Sequence, residues 1–304
     1  MIWSRGLFGF VALTLAHNIC AALPPRLLLL DGAFAGADIV AVGERGTILR
    51  SSDNARSWNY VAPVTSATLT GVSFADDGQH GWAVGHDALI LATMDGGRTW
   101  AKQWQSENLQ DSFLNALALD AQHAFAIGAY GLFLATADGG KTWARKKILD
   151  DDYHLNRLTR GPSGTLYLAG EHGTLLRSTD NGAKWTRLTT PYNGSFYGLL
   201  PLDRRTLLAH GLSGRVFRSI DDGAMWAQIA TPEPPMLLAA GLQMKSNFLV
   251  LAGQARAHFV SRDYGKTIIP WAVTIDTAIS ALLELPDGSV LALGEAGPTL
   301  LPKP

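Results

Sequence analysis

The stretch TMDGGRTW, from Thr93 to Trp100, recurs along the chain and decides its fold. The pattern returns as TADGGKTW at Thr136–Trp143 and, less faithfully, as SSDNARSW, STDNGAKW, SIDDGAMW and SRDYGKTI. The aspartates of the six copies are separated by 42, 43, 42, 41 and 42 residues, and they are Asp53, Asp95, Asp138, Asp180, Asp221 and Asp263. A period this regular predicts stacked copies of one supersecondary unit.

Each copy has the sequence of a tight turn that fixes one hairpin. The aspartate carboxylate is placed to accept backbone N–H groups, and the glycine can adopt the positive φ that other residues resist. A tryptophan follows at the start of the next strand in five copies, at Trp58, Trp100, Trp143, Trp185 and Trp226. We expect these aspartates and tryptophans to be structural, with each tryptophan buried at the edge of its unit.

Short apolar strands that end in glycine lie between the turns. They are IVAVG (39–43), GWAVG (81–85), AFAIG (124–128), LYLAG (166–170), LLAHG (207–211), LVLAG (249–253) and VLALG (290–294). Four strands in each period of about 42 residues are typical of a β-propeller blade. The sequence therefore predicts an all-β fold, a seven-bladed β-propeller of four-stranded antiparallel blades.

The two ends of the chain do not repeat the unit. The last copy stops at PTLLPKP, so blade seven is predicted to lack its tryptophan strand. The inner strand of blade one is predicted at Leu27–Gly36, and we expect the extended segment after Leu23 to help close the ring.

The composition sets the broad class. The chain has 304 residues, of which 47% are hydrophobic and 17% charged, and its net charge is −1. Such a chain can bury a large core, and its charge does not favour nucleic acid or an anionic membrane surface as a partner. We expect a monomer.

Residues 1–22 have the pattern of an export signal. A single arginine precedes the apolar run GLFGFVALTLA, and Cys20-Ala21-Ala22 offers small residues for cleavage before Leu23. The prediction is a periplasmic or secreted propeller over residues 23–304. The alternative is a membrane anchor through an uncleaved N-terminus or a lipidated Cys20. Since Cys20 is the only cysteine, cleavage would leave no thiol chemistry.

The turn strings match the Asp-box, or BNR, repeat. With AVGERGTIL, GWAVGHDALILATMDGGRTW and AIGAYGLFLATADGGKTW, the chain resembles the photosystem II assembly and stability factor family, in particular its relatives in non-photosynthetic bacteria. The resemblance covers Leu27 to about Leu301 and implies a seven-bladed propeller that acts as a non-catalytic assembly or scaffold factor beside membrane proteins. In photosynthetic members the partner is a photosystem core subunit, bound partly through an arginine-rich surface. This chain shows no matching arginine cluster, so we expect another membrane protein or complex, such as an envelope transporter.

Two other functions use similar repeats. Sialidases carry Asp-boxes, but they need an arginine trio, a tyrosine nucleophile and acidic residues that converge on the propeller axis. Within the predicted inner strands we find only Arg157, Arg160 and Glu284 as charged residues, which disfavours this chemistry. Three further arginines, Arg50, Arg177 and Arg218, share one repeat position and are expected to be solvated on separate blades. A glycan-binding lectin is the other alternative.

The sequence predicts neither a cofactor nor a metal. The histidines show no pair at ligand spacing. The run Asp150–Asp152 before Tyr153 and His154 could be a cation site, but a solvated loop is the favoured interpretation.

The loops that link blades, and those between second and third strands, should emerge on the face opposite the Asp-box turns. They vary between copies and carry aromatic residues, which are frequent in protein-binding surfaces. We therefore predict a binding rim whose candidate residues are Trp104, Tyr130, Asp151, Tyr153, His172 and Tyr192.

Overall fold

The computed structural model describes residues 27–108, 110–233, 236–254 and 256–304, and nearly all of their regular structure is β-strand. The strands form seven antiparallel sheets, six with four strands and one with three, and consecutive strands of the chain are neighbours. This meander is the blade of a propeller, so the predicted seven-bladed all-β fold is confirmed. In the described part, no helix is long and apolar enough to cross a membrane.

The strands follow one another around the ring. Blades one and two contain β1 (Leu29–Ala35), β2 (Asp38–Gly43), β3 (Ile48–Ser51), β4 (Asn59–Tyr60), β5 (Leu69–Phe74), β6 (Gly81–Gly85), β7 (Leu89–Thr93) and β8 (Ala101–Gln105). Blades three and four contain β9 (Phe113–Ala118), β10 (Ala124–Gly128), β11 (Phe133–Thr136), β12 (Ala144–Arg145), β13 (Leu155–Arg160), β14 (Leu166–Gly170), β15 (Leu175–Ser178) and β16 (Thr186–Leu188). Blades five to seven contain β17 (Phe196–Pro201), β18 (Leu207–Gly211), β19 (Val216–Ser219), β20 (Ala227–Ile229), β21 (Leu238–Gln243), β22 (Leu249–Gly253), β23 (His258–Ser261), β24 (Ile269–Pro270), β25 (Ile279–Glu284), β26 (Val290–Gly294) and β27 (Gly297–Leu301).

The apolar segments that end in glycine are the second strands of the blades. Both faces of such a strand are covered, as in β10, where every residue is buried, so apolar residues follow one another without alternation. The final glycine is required by a close approach of backbone. A Cβ added to Gly128 would lie 2.0 Å from the carbonyl oxygen of Ser112, where the chain enters the inner strand.

The hydrophobic core is divided among the interfaces between blades. Each cluster of buried side chains in the described residues joins two neighbouring blades. Val40 of blade one, for example, packs with Leu69 and Trp100 of blade two. A blade therefore buries its faces only against its neighbours, which is why the fold needs repeated units.

The first strand of each blade is innermost and lines a central channel. All seven inner strands have a register shift after their first residue, a local irregularity of the β-bulge type. The residues directly after this shift form one ring around the channel, and they are Asp31, Gly71, Asn115, Arg157, Gly198, Ala240 and Ala281.

Blade seven has three strands in the described residues, as PTLLPKP predicted. Blade one closes the ring by packing Leu27 and Leu29 against Leu291 and Leu293 of blade seven, and Leu27 also forms an isolated parallel bridge with Ala296. The predicted export signal at residues 1–22, its Cys20 and the segment 23–26 lie outside the described residues.

Candidate functional site

The Asp-box turns share one hydrogen-bond network. In the second copy, the hydroxyl of Thr93 donates to Asp95 Oδ1 at 2.8 Å and accepts the N–H of Gly97 at 3.0 Å. Asp95 Oδ1 also accepts the N–H of Thr99 at 2.9 Å. Equivalent bonds occur at Asp53, Asp138, Asp180, Asp221 and Asp263. The carboxylates are thus engaged in holding their own turns.

These bonds keep the carboxylates ionised. A hydroxyl and an N–H from Thr142 lower the pKa of Asp138 to about 2. Partial burial raises the pKa of Asp263, but hydrogen bonds from Thr267 outweigh it and bring the pKa to about 2. A carboxylate with this pKa is suited to a structural role and not to proton transfer near neutral pH.

The tryptophans that follow the turns are not equally buried. Trp58 and Trp100 are buried, and Trp100 packs edge-on against Phe74 with ring centroids 6.0 Å apart. The expected burial is wrong for Trp143, Trp185 and Trp226, which are only partly buried.

The difference correlates with one position at or near the end of the inner strand, the residue paired with Ile39 in blade one and with Gly81 in blade two. Phe74 occupies this position in blade two, and the equivalent Phe34 packs in the cluster that contains Trp58. Blades three to five carry Ala118, Arg160 and Pro201 there, which offer less apolar surface to cover a tryptophan.

The three arginines of one repeat position are half-buried, so the expectation that they are solvated is wrong. Arg177 donates to the carboxylate of Asp222, and Arg218 Nε donates to the carbonyl of Tyr264 at 3.0 Å. Both acceptors belong to the Asp-box turn of the following blade. Arg50 pairs instead with Asp38 of its own blade. These side chains therefore form hydrogen bonds and ion pairs that stabilise contacts within and between blades.

The opposite face, which we call the linking rim, carries the blade-to-blade loops and the hairpins between second and third strands. The central hairpin residue is left-handed in several blades, including Arg45, Tyr130, His172 and Ser213 with φ between 51° and 55°. Since different residue types adopt it, this conformation belongs to the blade architecture. The residue chosen at that position decides what each blade presents to solvent.

On blades three and four the linking rim carries a cluster that we call the tyrosine–histidine patch: Tyr130, Tyr153, His154, Glu171 and His172. The Tyr130 ring meets the His154 ring edge-on, with centroids 4.9 Å apart. The Tyr153 ring stacks on the His172 ring at 4.4 Å with an angle of 27°. Tyr130 is 66% exposed. The patch thus presents aromatic surface to solvent on side chains that support one another.

Backbone contacts hold this patch in place. The carbonyl of Tyr153 accepts the N–H of Gly131 at 2.9 Å, which ties the linking loop to the hairpin of blade three. The carboxylate of Glu171 accepts the N–H of His154 at 2.9 Å and lies 3.5 Å from His154 Nδ1. Packed aromatic side chains on fixed backbone lose little entropy on binding, as a recognition surface requires.

The acidic run beside the patch is a solvated loop with two ion pairs. Asp151 lies 3.4 Å from Arg187, and Asp150 lies 3.1 Å from Lys147. Within the described residues, no group of three or more acidic, histidine or cysteine side chains is arranged to hold a metal ion.

Two candidate rim residues are not in the patch. Trp104 lies in β8, not in a loop, and its ring packs 5.7 Å from the buried ring of Phe113. Tyr192 lies in a linking loop, but its ring packs on Phe196 and Phe217, and burial raises its pKa. Both side chains contribute to blade packing, so the structure brings together only Tyr130, Tyr153 and His172, with Asp151 at their border.

His154 and Glu171 belong to the patch and were not predicted. The sequence placed both residues in loops of the predicted binding rim, but neither was selected as a candidate binding residue. The position of His154 directly before the blade-four inner strand, next to Tyr153, was the available signal.

The central channel contains a second polar site. Asp31 of blade one and Arg157 of blade four form an ion pair across the channel, with Oδ1 and Nη1 3.1 Å apart. Asp31 is 1% exposed, and its other oxygen accepts the N–H of Val72 at 3.2 Å. The sequence interpretation overlooked Asp31, although it was a charged residue inside an otherwise apolar inner strand. Arg157 and Arg160 are the only arginines that line the channel cavity in the described residues.

A repeated turn on a closed ring of seven four-stranded or three-stranded blades, with an aromatic patch on the opposite rim, defines a seven-bladed β-propeller. The model of the family described as photosynthesis system II assembly factor YCF48 matches residues 50–152 and 101–232, which together cover more than half of the chain. The chain therefore belongs to this family.

Curated relatives match over a short segment. The photosystem II assembly lipoprotein Ycf48 of Picosynechococcus sp. is 41% identical over 46 residues, and that of Synechocystis sp. is 39% identical over 46 residues. The match spans 15% of this chain and 14% of each relative.

Solved structures share the fold over nearly the whole chain. A structure of YCF48 bound to D1 peptide has a TM-score of 0.71 and 22% identity, and the match covers 94% of this chain and 99% of that one. YCF48 from Cyanidioschyzon merolae has a TM-score of 0.76, 17% identity, and coverage of 93% and 97%. The WD40 propeller domain of Doa1 has a TM-score of 0.69 at 11% identity, with coverage of 90% and 92%. At these identities the similarity shows the fold alone.

Proposed function

We propose that this propeller is an exported, non-catalytic assembly or scaffold factor that binds a segment of a membrane protein through the tyrosine–histidine patch. The observation that carries the proposal is the mutual packing of four exposed or half-exposed rings from two blades, Tyr130 on His154 and Tyr153 on His172. Aromatic side chains of this kind supply most of the binding energy at many protein interfaces.

The family membership supports an assembly role. The family is described as an assembly factor, and one solved relative was determined with a D1 peptide bound. We infer a membrane protein or membrane complex as the partner of this chain, and an envelope transporter is the specific candidate. The charge of −1 gives little long-range steering, so contact should depend on desolvated aromatic anchors.

Export is part of the proposal. The pattern at residues 1–22 supports cleavage near Ala22 and a periplasmic or secreted monomer. The alternative is a membrane-tethered form with a lipidated Cys20, and the relatives named as lipoproteins support testing it. N-terminal sequencing and intact mass of the exported protein distinguish the two forms. A lipid-modified Cys20 would replace the soluble form by a tethered one.

The binding test compares two double variants. Tyr130→Ala with Tyr153→Ala removes both tyrosines of the patch, and Arg98→Ala with Lys141→Ala removes two side chains from the Asp-box face. Loss of one hot-spot anchor typically costs about 2 kcal/mol, or roughly a thirtyfold loss of affinity. The amount of the membrane protein that co-purifies with the parent protein from solubilised membranes should fall only with the tyrosine variant.

Equal loss with both variants, or loss only with the Asp-box variant, would move the site away from the patch. The purified protein should also fail to hydrolyse a fluorogenic sialoside, and turnover of that substrate would contradict the non-catalytic proposal.

A further inference from the structure

The channel holds a cavity of about 310 Å³ in the half nearer the Asp-box face. Much of its wall is apolar and includes Leu199, Ala240 and Leu282. Arg157 and Arg160 of β13 and His210 of β18 add polar groups to the same wall. A cavity of this size whose wall combines apolar side chains with several polar groups has the usual character of a small-ligand site.

The charge that faces the cavity is positive. Arg157 uses Nη1 for its pair with Asp31, and the Asp31 carboxylate is itself buried behind that pair. Arg160 donates to the carbonyl of Leu119 at 3.3 Å, and its carboxylate neighbour, Asp76, is 3.9 Å away and almost fully exposed. Both guanidinium groups therefore retain N–H donors for an anion, and a carboxylate fits their planar geometry.

His210 adds an acceptor nitrogen to the wall of this cavity. Its side chain is 1% exposed, and its Nδ1 lies 3.0 Å from the carbonyl oxygen of Leu238, so Nδ1 must carry the proton. Nε2 has no hydrogen-bond partner among the described residues, and its ring edge lies between two glycines. A Cβ added to Gly198 or Gly241 would lie 2.3 Å or 2.6 Å from Nε2. Glycine at both positions makes room for this ring.

The ring is neutral at physiological pH. Burial lowers the pKa of His210 to about 4, and the charge of Arg157 contributes to the same shift. With the proton on Nδ1, the Nε2 lone pair is a hydrogen-bond acceptor that lacks a donor. An acceptor at the wall of a cavity favours a ligand that brings an N–H group.

We propose that the cavity binds the terminal unit of an N-acylated amino acid, whose carboxylate contacts Arg157 and Arg160 while its amide N–H donates to His210 Nε2. An apolar side chain on that unit would pack against Leu199, Ala240 and Leu282. The same chemistry occurs in a free N-acyl amino acid and at the carboxyl end of a peptide. This site is separate from the tyrosine–histidine patch, which lies on the opposite face.

Calorimetric titration of the full chain with three probes tests the proposal. N-acetyl-leucine and a tetrapeptide that ends in leucine both carry the required carboxylate, and N-acetyl-leucinamide lacks it. Binding of the tetrapeptide alone would identify a chain terminus as the ligand, and binding of both acids would include the small molecule. The amide should bind about tenfold more weakly or worse, because the charge-assisted bonds are lost. Equal binding of the amide, or no binding of either acid at millimolar concentration, would overturn the proposal.

Two variants with one charge removed provide the matched comparison. Arg160→Gln should weaken binding of the acid probes about tenfold, whereas Arg98→Gln on the Asp-box face should leave it unchanged. The double variant Asp31→Asn with Arg157→Gln keeps the net charge and a hydrogen-bonding pair, and it should also lose binding while its melting temperature shows that it folds. Unchanged affinity in both cavity variants would contradict the site.

The ring of His210 gives a readout that a purely structural role would not move. Ligand binding should shift the ¹⁵N resonance of Nε2, because that nitrogen gains a hydrogen bond. The Tyr130→Ala, Tyr153→Ala variant should bind the probes normally, so failure of the rim proposal and failure of this one are distinguishable.

Discussion

The two faces of the propeller differ in how their side chains are used, although both are built from the same repeat. On the Asp-box face each turn uses the same three hydrogen bonds, as at Thr93 and Asp95, and the conserved-position hydroxyl and aspartate are bonded within their own turn. On the linking rim, side chains of neighbouring blades meet, as Tyr130 of the blade-three hairpin does with His154 at the entry to blade four. Uniform local contacts fix the fold, while contacts that differ from blade to blade leave residues available for recognition.

The sharpest test of this contrast is Trp100→Ala. Trp100 is buried and packs on Phe74, so removing it should cost about 3–5 kcal/mol in the free energy of unfolding, as large-to-small core changes do. The matched variant Trp226→Ala removes a half-buried ring and should cost clearly less. Chemical denaturation of both variants measures the difference. Equal losses would show that the inner-strand phenylalanine does not set the contribution of the tryptophan.

A smaller effect is expected from acid. The folded-state pKa values of Asp138 and Asp263 are depressed to about 2, so their ionised forms stabilise the native state. This contribution is complete above the ordinary aspartate pKa near 4 and is lost as the pH falls from about 4 to about 2. The melting temperature should therefore decrease over this range.

The double variant Asp138→Asn with Asp263→Asn supplies the control for acid. Its melting temperature should be lower at neutral pH and should depend less on pH between about 4 and 2. The same slope in variant and parent protein would assign acid sensitivity to other groups.

Substitutions on the linking rim should affect binding more than stability, the reverse of what is expected for Trp100→Ala. Tyr130 is largely exposed, so Tyr130→Ala with Tyr153→Ala should change the free energy of unfolding by about 0.5 kcal/mol or a little more, whereas the proposed site predicts a large loss of partner binding. Thermal unfolding beside the co-purification assay checks this separation. A loss of stability as large as that of Trp100→Ala would make the patch a part of the core.

The sequence predicted the fold well because its signals are local and repeated. Every blade contains the Asp-box turn or the glycine-ended strand, and the clash at Gly128 shows why that glycine is needed. The binding residues were predicted less well, because contacts between blades depend on how the linking loops run. Trp104 and Tyr153 look alike in the sequence, yet one packs on Phe113 and the other stacks on His172.

Contacts across the channel were even harder to predict from the sequence than contacts between neighbouring blades. Asp31 and Arg157 are 126 residues apart, and only closure of the ring places them opposite each other. No local sequence pattern predicts such an ion pair. Its one signal was a charged residue in an apolar strand, which requires a partner when it is buried.

The smallest expected effect concerns an irregularity in the Asp-box network itself. In four copies a hydroxyl four residues after the aspartate donates to its Oδ2, as Thr142 does to Asp138 at 2.6 Å. Met225 occupies that position after Asp221 and is 74% exposed. Met225→Thr should supply the missing bond, remove an exposed apolar side chain and raise the melting temperature by about 1 °C. Met225→Val has nearly the shape of threonine without its hydroxyl and should give no increase. If both variants raised the melting temperature equally, β-propensity at this position and not the hydrogen bond would be the cause, and the network on this face would be complete without the hydroxyl.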